Sequence, residues 1–108
     1  MFTAKALNKL IQDFLAALEE NGFHVKKAIL FGSYALGKPH KYSDIDLAIW
    51  LYNCPDEHYT EIPPLLHTVA SHYPVHPKFY DSSETKETDP FIEIIQKTGK
   101  DILLPVKG

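Results

Sequence analysis

Apolar side chains recur at spacings of three and four residues along the first part of the chain. The positions are Leu7, Leu10, Ile11, Phe14, Leu15 and Leu18. Because this spacing places the side chains on one side of a helix with about 3.6 residues per turn, it predicts an amphipathic helix. Asn21 and Gly22 follow directly and predict the end of that helix.

Two apolar runs after this helix are too short for helices and predict strands. The first covers residues 25–31 and is closed by Gly32, and the second covers residues 45–52. Residues 32–43, between the two runs, are rich in Gly, Ser, Pro and Lys. This composition predicts a connection with room for one helical turn.

The next segments predict a helix and a weaker strand. Pro63 and Pro64 can begin a helix but cannot lie inside one, so they predict a helix over residues 64–72. Residues 75–80 predict a strand that contains Pro77. Proline lacks the amide N–H that a central strand needs, so Pro77 favours an edge strand or the end of a strand.

A polar linker, a helix and a short strand complete the predicted elements. The linker covers residues 82–88, and Asp89 after it predicts an N-cap with Pro90 at the first helical position. Gly99 predicts the end of this helix, and residues 102–106 predict a final strand. The apolar side of the helix consists of Phe91, Ile92, Ile94 and Ile95.

The predicted order is helix, strand, strand, helix, strand, helix, strand. This order indicates an α/β or α+β domain built around a small mixed sheet with flanking helices. A chain of 108 residues is long enough for one modest core, so we expect a single domain over residues 1–108.

Composition narrows the classes of protein that the chain can belong to. Eleven basic and fourteen acidic residues give a net charge of −3, which does not favour binding to a nucleic-acid backbone. The single cysteine, Cys54, cannot form an internal disulfide and fits a reducing compartment. No apolar stretch approaches the ~20 residues of a membrane span, and the N-terminus lacks a signal sequence. We therefore expect a cytoplasmic protein without membrane partners.

Four residues around the connection between the first two strands carry the candidate chemistry. Gly32 and Ser33 follow the first strand, and after ten further residues Asp44 and Asp46 begin the second. Gly32 permits a tight turn and a close backbone approach, and Ser33 adds a hydroxyl group. A helical turn starting there would direct free N–H groups at an anion such as phosphate.

Asp44 and Asp46 are two residues apart, so on a strand both carboxylates project from the same face, roughly 7 Å apart at the backbone. Carboxylate oxygens with open positions for phosphate suit Mg²⁺ or Mn²⁺. A phosphate-binding turn facing a metal-binding pair is the arrangement for phosphoryl or nucleotidyl transfer. Either pair alone is typical of an ordinary turn or strand start, but all four at this spacing match by chance on the order of once in a thousand chains.

The arrangement resembles the minimal nucleotidyltransferases, the small members of the DNA polymerase β-like superfamily. Their signature is Gly-Ser, ten residues, Asp-x-Asp, and a further acidic residue on a later strand. The resemblance extends from the leading helix through residues 28–31 and 43–47 to the helix at 89–99. It implies binding of Mg-ATP and transfer of a nucleoside monophosphate, expected to be AMP, to an acceptor.

The resemblance implies roles for the four residues. Gly32 and Ser33 would contact the triphosphate, and Asp44 and Asp46 would bind the metal and act in catalysis.

The third acidic residue of the signature has no clear counterpart. We expect it on the strand at 75–80, which contains no Asp or Glu. His76 lies where the acidic residue is expected, and Asp81 follows the strand directly. Three alternatives therefore stay open: His76 fills the position, Asp81 fills it through a bulge or a different register, or neither does.

The resemblance also implies a partner. Minimal nucleotidyltransferases commonly pair with a helical HEPN protein, in toxin–antitoxin modules or two-subunit transferases, and a second copy of the chain could also complete the site. The main hypothesis is a nucleotidyltransferase that acts with or on such a partner. The alternative is a catalytically impaired nucleotide-binding subunit or antitoxin that acts by protein–protein contact. A stand-alone transferase for a small molecule is disfavoured because no second domain is expected.

Two other kinds of site are not expected. His67 and His72 are five residues apart, so they do not share a helical face, and no cysteine pair accompanies them as in zinc sites. A Ser–His–Asp hydrolase using Ser33 and Asp44 would lack the glycine-flanked serine turn of that class.

Overall fold

The computed structural model describes residues 2–39, 44–52 and 64–104, and within the second helix it describes side chains from Leu66 onward. The elements in these residues are α1 (Ala4–Glu20), β1 (Val25–Phe31), β2 (Ile45–Leu51), α2 (Pro64–Ser71), β3 (Val75–Asp81), α3 (Phe91–Thr98) and β4 (Lys100–Asp101). Their order confirms the predicted one. Predictions that concern residues 40–43, Cys54, Pro63 and residues 105–106 lie outside the described residues.

The four strands form one mixed sheet in the order β3-β2-β1-β4. β1 is antiparallel to both β2 and β4, whereas β2 and β3 are parallel and are joined by the crossover that contains α2. A parallel pair requires such a crossover, because a tight hairpin can only join antiparallel strands. β3 lies at an edge, as Pro77 predicts.

The central strand β2 is buried on both faces. Its odd-numbered residues belong to the larger core, formed with α1 and α2: Ile45, Leu47, Ile49 and Leu51. Ala48 and Trp50 belong to a second, smaller core beneath α3. Because side chains alternate along a strand, Asp46 lies on the same face as Ala48 and Trp50. The carboxylate therefore lies at the start of the α3 face of the sheet.

Local hydrogen bonds place the helix ends. The Thr3 hydroxyl accepts a hydrogen bond from the Ala6 amide at 3.1 Å and begins α1. The Asp89 carboxylate accepts one from the Phe91 amide at 3.0 Å, and Pro90 already has helical angles of φ −57° and ψ −24°. The helix begins at Phe91, one residue later than predicted, but Asp89 makes the hydrogen bond expected of a capping residue at its N-terminus.

The position predicted for the last strand is wrong. Hydrophobicity predicts it at residues 102–106, but the structure has it at Lys100–Asp101, paired with Ile29 and Leu30. Gly99 explains the difference, because a Cβ there would overlap the Ile29 side chain and lie 2.8 Å from the Leu30 carbonyl oxygen. Without that Cβ, the chain can pair with β1 directly after α3.

Three other boundaries differ from the predictions by one residue. β2 ends at Leu51, α2 ends at Ser71, and β3 extends to Asp81. Differences of this size are within the ordinary fraying of element ends. Among the described residues, no helix is both long enough and apolar enough to cross a membrane.

Tyr80 connects the smaller core to the N-terminus of α3. Its ring stacks on Trp50 with centroids 5.1 Å apart, and its hydroxyl donates a 3.0 Å hydrogen bond to Asp89 Oδ2. Burial is the main cause that raises the pKa of Tyr80 well above its ordinary value, and the hydrogen bond to Asp89 raises it further. The native state therefore keeps the phenol proton at pH values where the unfolded chain loses it.

We expect the stability contributed by Tyr80 to be fully present below pH about 10, the ordinary tyrosine pKa, and to be lost as the pH rises above it. Tyr80→Phe should cost about 1 kcal/mol at neutral pH, and its deficit relative to the wild type should shrink at higher pH. Urea unfolding across this pH range measures the effect. The exposed Tyr52, changed to Phe, is the control. A deficit for Tyr80→Phe that stays constant with pH would contradict the account.

Candidate active site

Gly32 and Asp46 are in contact at the end of β1. Phe31, the last residue of β1, pairs in register with Asp46 on β2, so the residue after Phe31 lies beside the Asp46 side chain. Gly32 has φ +75°, a left-handed conformation that favours glycine. A Cβ at Gly32 would overlap Asp46 Oδ2 and lie 3.1 Å from Cγ. Position 32 therefore requires glycine for two reasons: the left-handed turn and the Asp46 carboxylate that packs against it.

The residues after Gly32 form a single helical turn, as the sequence predicts. The Leu36 amide donates to the Gly32 carbonyl at 3.1 Å, and the Lys38 amide donates to the Ser33 carbonyl at 3.0 Å. Within the described part of the chain, the amides of residues 33–35 have no hydrogen-bond acceptor. These are the groups that a helical turn leaves free for an anion.

Tyr34 and Ala35 anchor this turn in the larger core, where both are buried. The Tyr34 hydroxyl also accepts a 3.3 Å hydrogen bond from the Phe2 amide, ahead of α1. The turn beside Asp46 is therefore held by packing as well as by its own hydrogen bonds.

His76 occupies the position next to Asp46 on β3. The parallel register pairs these two residues, and His76 Nδ1 lies 3.4 Å from Asp46 Oδ1. The His76 side chain is 76% exposed and the Asp46 side chain 26%. The Asp46 carboxylate thus has Oδ2 against Gly32 and Oδ1 towards an imidazole that solvent can reach.

Asp81 lies at the opposite end of β3, in register with Leu51. It lies five positions after His76 along the strand, a distance of roughly 17 Å. Its carboxylate accepts hydrogen bonds from the Ser83 hydroxyl and the Ser83 amide, and these bonds lower the pKa of the Asp81 carboxyl. The alternative in which Asp81 replaces the third acidic residue is therefore wrong, because the β2–β3 register places it far from Asp46.

Asp44 is exposed and immediately precedes the first residue of β2. Only Asp46 of the aspartate pair lies within the strand itself. Among residues 2–39, 44–52 and 64–104, no three His, Cys, Asp or Glu side chains are close enough to hold a metal ion together. The described structure thus joins Gly32, Asp46 and His76, with Ser33 next to Gly32 and Asp44 two residues before Asp46.

This donor set is compatible with a magnesium ion. Mg²⁺ commonly binds one or two protein carboxylates and completes its octahedron with water and substrate phosphate oxygens. Asp46, with a partly exposed carboxylate, and the exposed Asp44 supply oxygen donors of that kind. The His76 nitrogen is a poorer ligand for this ion, because Mg²⁺ prefers oxygen.

An aromatic pair that the sequence did not reveal lies beside this turn, on the α3 face of the sheet. The rings of Phe31 and Phe91 meet edge to face with centroids 5.9 Å apart. Lys78 Nζ lies 5.9 Å from the centroid of the same Phe91 ring. Phe31 pairs with Asp46, and Lys78 pairs with Ala48, so the Phe91 ring bridges β2 next to the carboxylate.

A cavity of about 300 Å³ lies on the outer side of His76, between the end of α2 and the start of β3. Its lining includes His67, Tyr73 and His76. His67 therefore lies in the same surface cavity as His76 rather than in a cluster of metal ligands.

The sequence matches the family model of the nucleotidyltransferase domain over residues 9–106. It is 36% identical over 56 residues to a Methanocaldococcus jannaschii protein named "Putative protein adenylyltransferase MJ1215". The matched segment covers 52% of this chain and 64% of that relative, so it spans less than two thirds of the relative's length.

Two solved structures share the fold. A chain from a toxin–antitoxin crystallised with AMP-PNP matches with a TM-score of 0.59 and 23% identity, covering 91% of this chain and 73% of that chain. A chain from a mutant of the toxin–antitoxin pair MntA–HpeT matches with a TM-score of 0.53 and 19% identity, covering 86% and 72%. These likenesses agree with the mixed sheet and helices described above. Because the family model matches nearly the whole sequence, the chain belongs to the nucleotidyltransferase domain family.

Proposed function

We propose that residues 1–108 form a single minimal nucleotidyltransferase domain that transfers AMP from ATP to a hydroxyl group of a partner protein, with Mg²⁺ or Mn²⁺. The observation that carries this proposal is the contact between the Asp46 carboxylate and Gly32. It brings a carboxylate against the start of a turn whose first amides have no acceptor among the described residues.

The four signature residues take the roles that this geometry favours. Gly32 and Ser33 bind the triphosphate through the backbone of the turn and the Ser33 hydroxyl. Asp44 and Asp46 hold the metal ion. The bound ion neutralises charge on the phosphate oxygens and so favours attack at the α-phosphorus.

His76 receives the proton of the acceptor hydroxyl in this proposal. A bond forms between the acceptor oxygen and the α-phosphorus. The bond from that phosphorus to the oxygen that bridges the α- and β-phosphates breaks, and pyrophosphate leaves. A neutral imidazole can take the proton, and Asp46 Oδ1 lies 3.4 Å from His76 Nδ1.

The site is accessible to a large acceptor. His76 lies on the edge strand and is 76% exposed, so a side chain of another protein can approach it. The relative named as a protein adenylyltransferase and the toxin–antitoxin neighbours support a protein acceptor. We propose a helical HEPN-type protein as that partner.

A second candidate function is nucleotide binding without transfer, in a subunit or antitoxin that acts by contact. The presence of His76 at the position where a carboxylate is expected favours this candidate. The two candidates differ in whether ATP labels the partner.

Asp46→Asn tests the proposed site directly. We expect the variant to lose metal-dependent ATP binding in calorimetry and to lose transfer of label from α-labelled ATP to the partner, because it removes the charge of a metal ligand. Asp13→Asn, on the exposed side of α1, is the matched control and should behave as the wild type. Full transfer by Asp46→Asn would exclude the assigned metal site.

His76→Gln separates the two candidate functions in the same assay. If His76 takes the proton, this variant should still bind Mg-ATP but transfer label about 100-fold more slowly, the typical contribution of a general base. Equal transfer by the wild type and His76→Gln would remove His76 from the mechanism. ATP binding with no transfer even by the wild type would favour the contact-only candidate.

Gly32→Ala tests whether the turn depends on the close approach of Asp46. The control is Gly37→Ala, because Gly37 has a similar φ of +70° but nothing within 4 Å of its added Cβ. Both variants should lose about 1–2 kcal/mol of stability in urea unfolding from the left-handed backbone. Only Gly32→Ala should lose further stability and also lose ATP binding, because the added Cβ displaces the Asp46 carboxylate. Identical effects of the two substitutions would contradict the assignment.

A further inference from the structure

The helix α3 carries more apolar surface than the smaller core buries. The sequence predicts one apolar side made of Phe91, Ile92, Ile94 and Ile95. In the structure Ile92 and Ile95 are fully buried. Phe91 is 40% exposed and Ile94 is 55% exposed. Because residues three apart are neighbours on a helix surface, Phe91 and Ile94 form one exposed apolar surface, which we call the α3 patch.

The α3 patch is held in a fixed position. The Phe91 ring packs edge to face on Phe31 with centroids 5.9 Å apart, and the Phe91 amide donates a 3.0 Å hydrogen bond to Asp89. Ile92 and Ile95 anchor the helix on the sheet. A surface that is already ordered in the free chain loses little conformational freedom when a partner binds, which favours its use as a docking surface.

The two ends of α3 carry charge of opposite sign. Acidic side chains lie before the helix and in its first turn: Glu87, Asp89 and Glu93. Lys97 lies in the last turn and Lys100 follows the helix, and both are exposed. Two copies of α3 packed antiparallel would place the acidic end of each copy beside the basic end of the other.

Neighbouring charges reduce this asymmetry without removing it. Lys78 Nζ lies 4.0 Å from Asp89 Oδ2, and Lys86 adjoins Glu87, so both lysines offset part of the charge at the acidic end. Asp101 offsets part of the charge at the basic end. Each end keeps an excess of its own sign, which is the charge complementarity that an antiparallel pair needs.

A two-fold axis between the helices makes the contact self-complementary. In the antiparallel register that packs Phe91 of one copy on Ile94 of the other, the same contact forms twice. This register also brings Lys97 of each copy alongside residues 87–89 of the other. We infer that a second copy of this chain docks on the α3 patch, with the two α3 helices antiparallel.

This inference does not rest on the proposed function. α3 packs against β1, whereas His76 lies on β3, two strands away in the sheet. Ile94 lies one helical turn beyond Phe91, the residue of the patch that is closer to Asp46. Substitution of Ile94 therefore tests the docking surface, and ATP binding measured on the same variant reports separately on the nucleotide site.

The expected dimer is weak. Two apolar side chains per copy cover much less than the ~1,200–2,000 Å² of a stable specific interface, so we expect a dissociation constant on the order of 100 μM. Sedimentation velocity of the whole chain from about 10 μM to about 1 mM covers this range.

The first comparison is Ile94→Glu against Leu103→Glu. Both variants add the same charge at an exposed apolar residue, and Leu103, 88% exposed, lies outside α3. Ile94→Glu should dimerise at least about tenfold more weakly than the wild type, because a charge at the centre of the contact loses its water. Leu103→Glu should dimerise as the wild type does. Thermal unfolding confirms that both variants are folded.

Two results of this comparison would overturn the inference. One is a wild type that stays monomeric at the highest concentration, and the other is equal weakening by Ile94→Glu and Leu103→Glu. If the wild type is monomeric and Ile94→Glu still lowers transfer of label to the partner protein, the α3 patch binds that protein and not a second copy.

A charge exchange tests the antiparallel register. Lys97→Glu and Glu87→Lys should each weaken self-association about threefold at low salt, because each places like charges at both contacts of the dimer. An equimolar mixture of the two variants should recover the affinity of the wild type, since both contacts of the mixed dimer then join opposite charges. A mixture that associates no better than either variant alone would overturn the antiparallel arrangement.

Discussion

The packing of the Asp46 carboxylate against the backbone of Gly32 is the contact on which the candidate site depends. It joins the end of β1 to the start of β2 and brings an acidic side chain to a turn whose first amides find no acceptor in the described part of the chain. Only a residue without Cβ allows both this approach and the left-handed φ. The carboxylate and the turn are thus held together in the described structure itself.

The rest of the fold keeps this contact in place. β2 is buried on both faces, and its side chains connect the larger core under α1 and α2 to the smaller core under α3. Asp46 lies where the second of these cores ends, so its carboxylate is partly exposed while the strand that carries it is fixed. Tyr34 and Ala35 are buried in the larger core, so they also fix the turn that carries them.

Much of the fold could be predicted from the sequence because its signals are local. The spacing of apolar residues predicts the helices and most strand boundaries. The spacing between the Gly-Ser and Asp-x-Asp residues predicts the candidate site. Other features depend on register between segments distant in the chain. The β2–β3 register places His76 beside Asp46 and excludes Asp81, and it also aligns Lys78 with Ala48. The position of β4 depends on the close packing of Gly99 against β1, which hydrophobicity does not reveal.

The central claim is that the Gly32 turn and the two aspartates form one nucleotide-binding site. A crystal structure with Mg²⁺ and a non-hydrolysable ATP analogue tests it most directly. We predict that the triphosphate lies on the amides that follow Gly32, with the metal ion bound to Asp46 and Asp44. A nucleotide bound elsewhere, for example in the cavity beside His67, or a metal ion that does not contact Asp46, would contradict it.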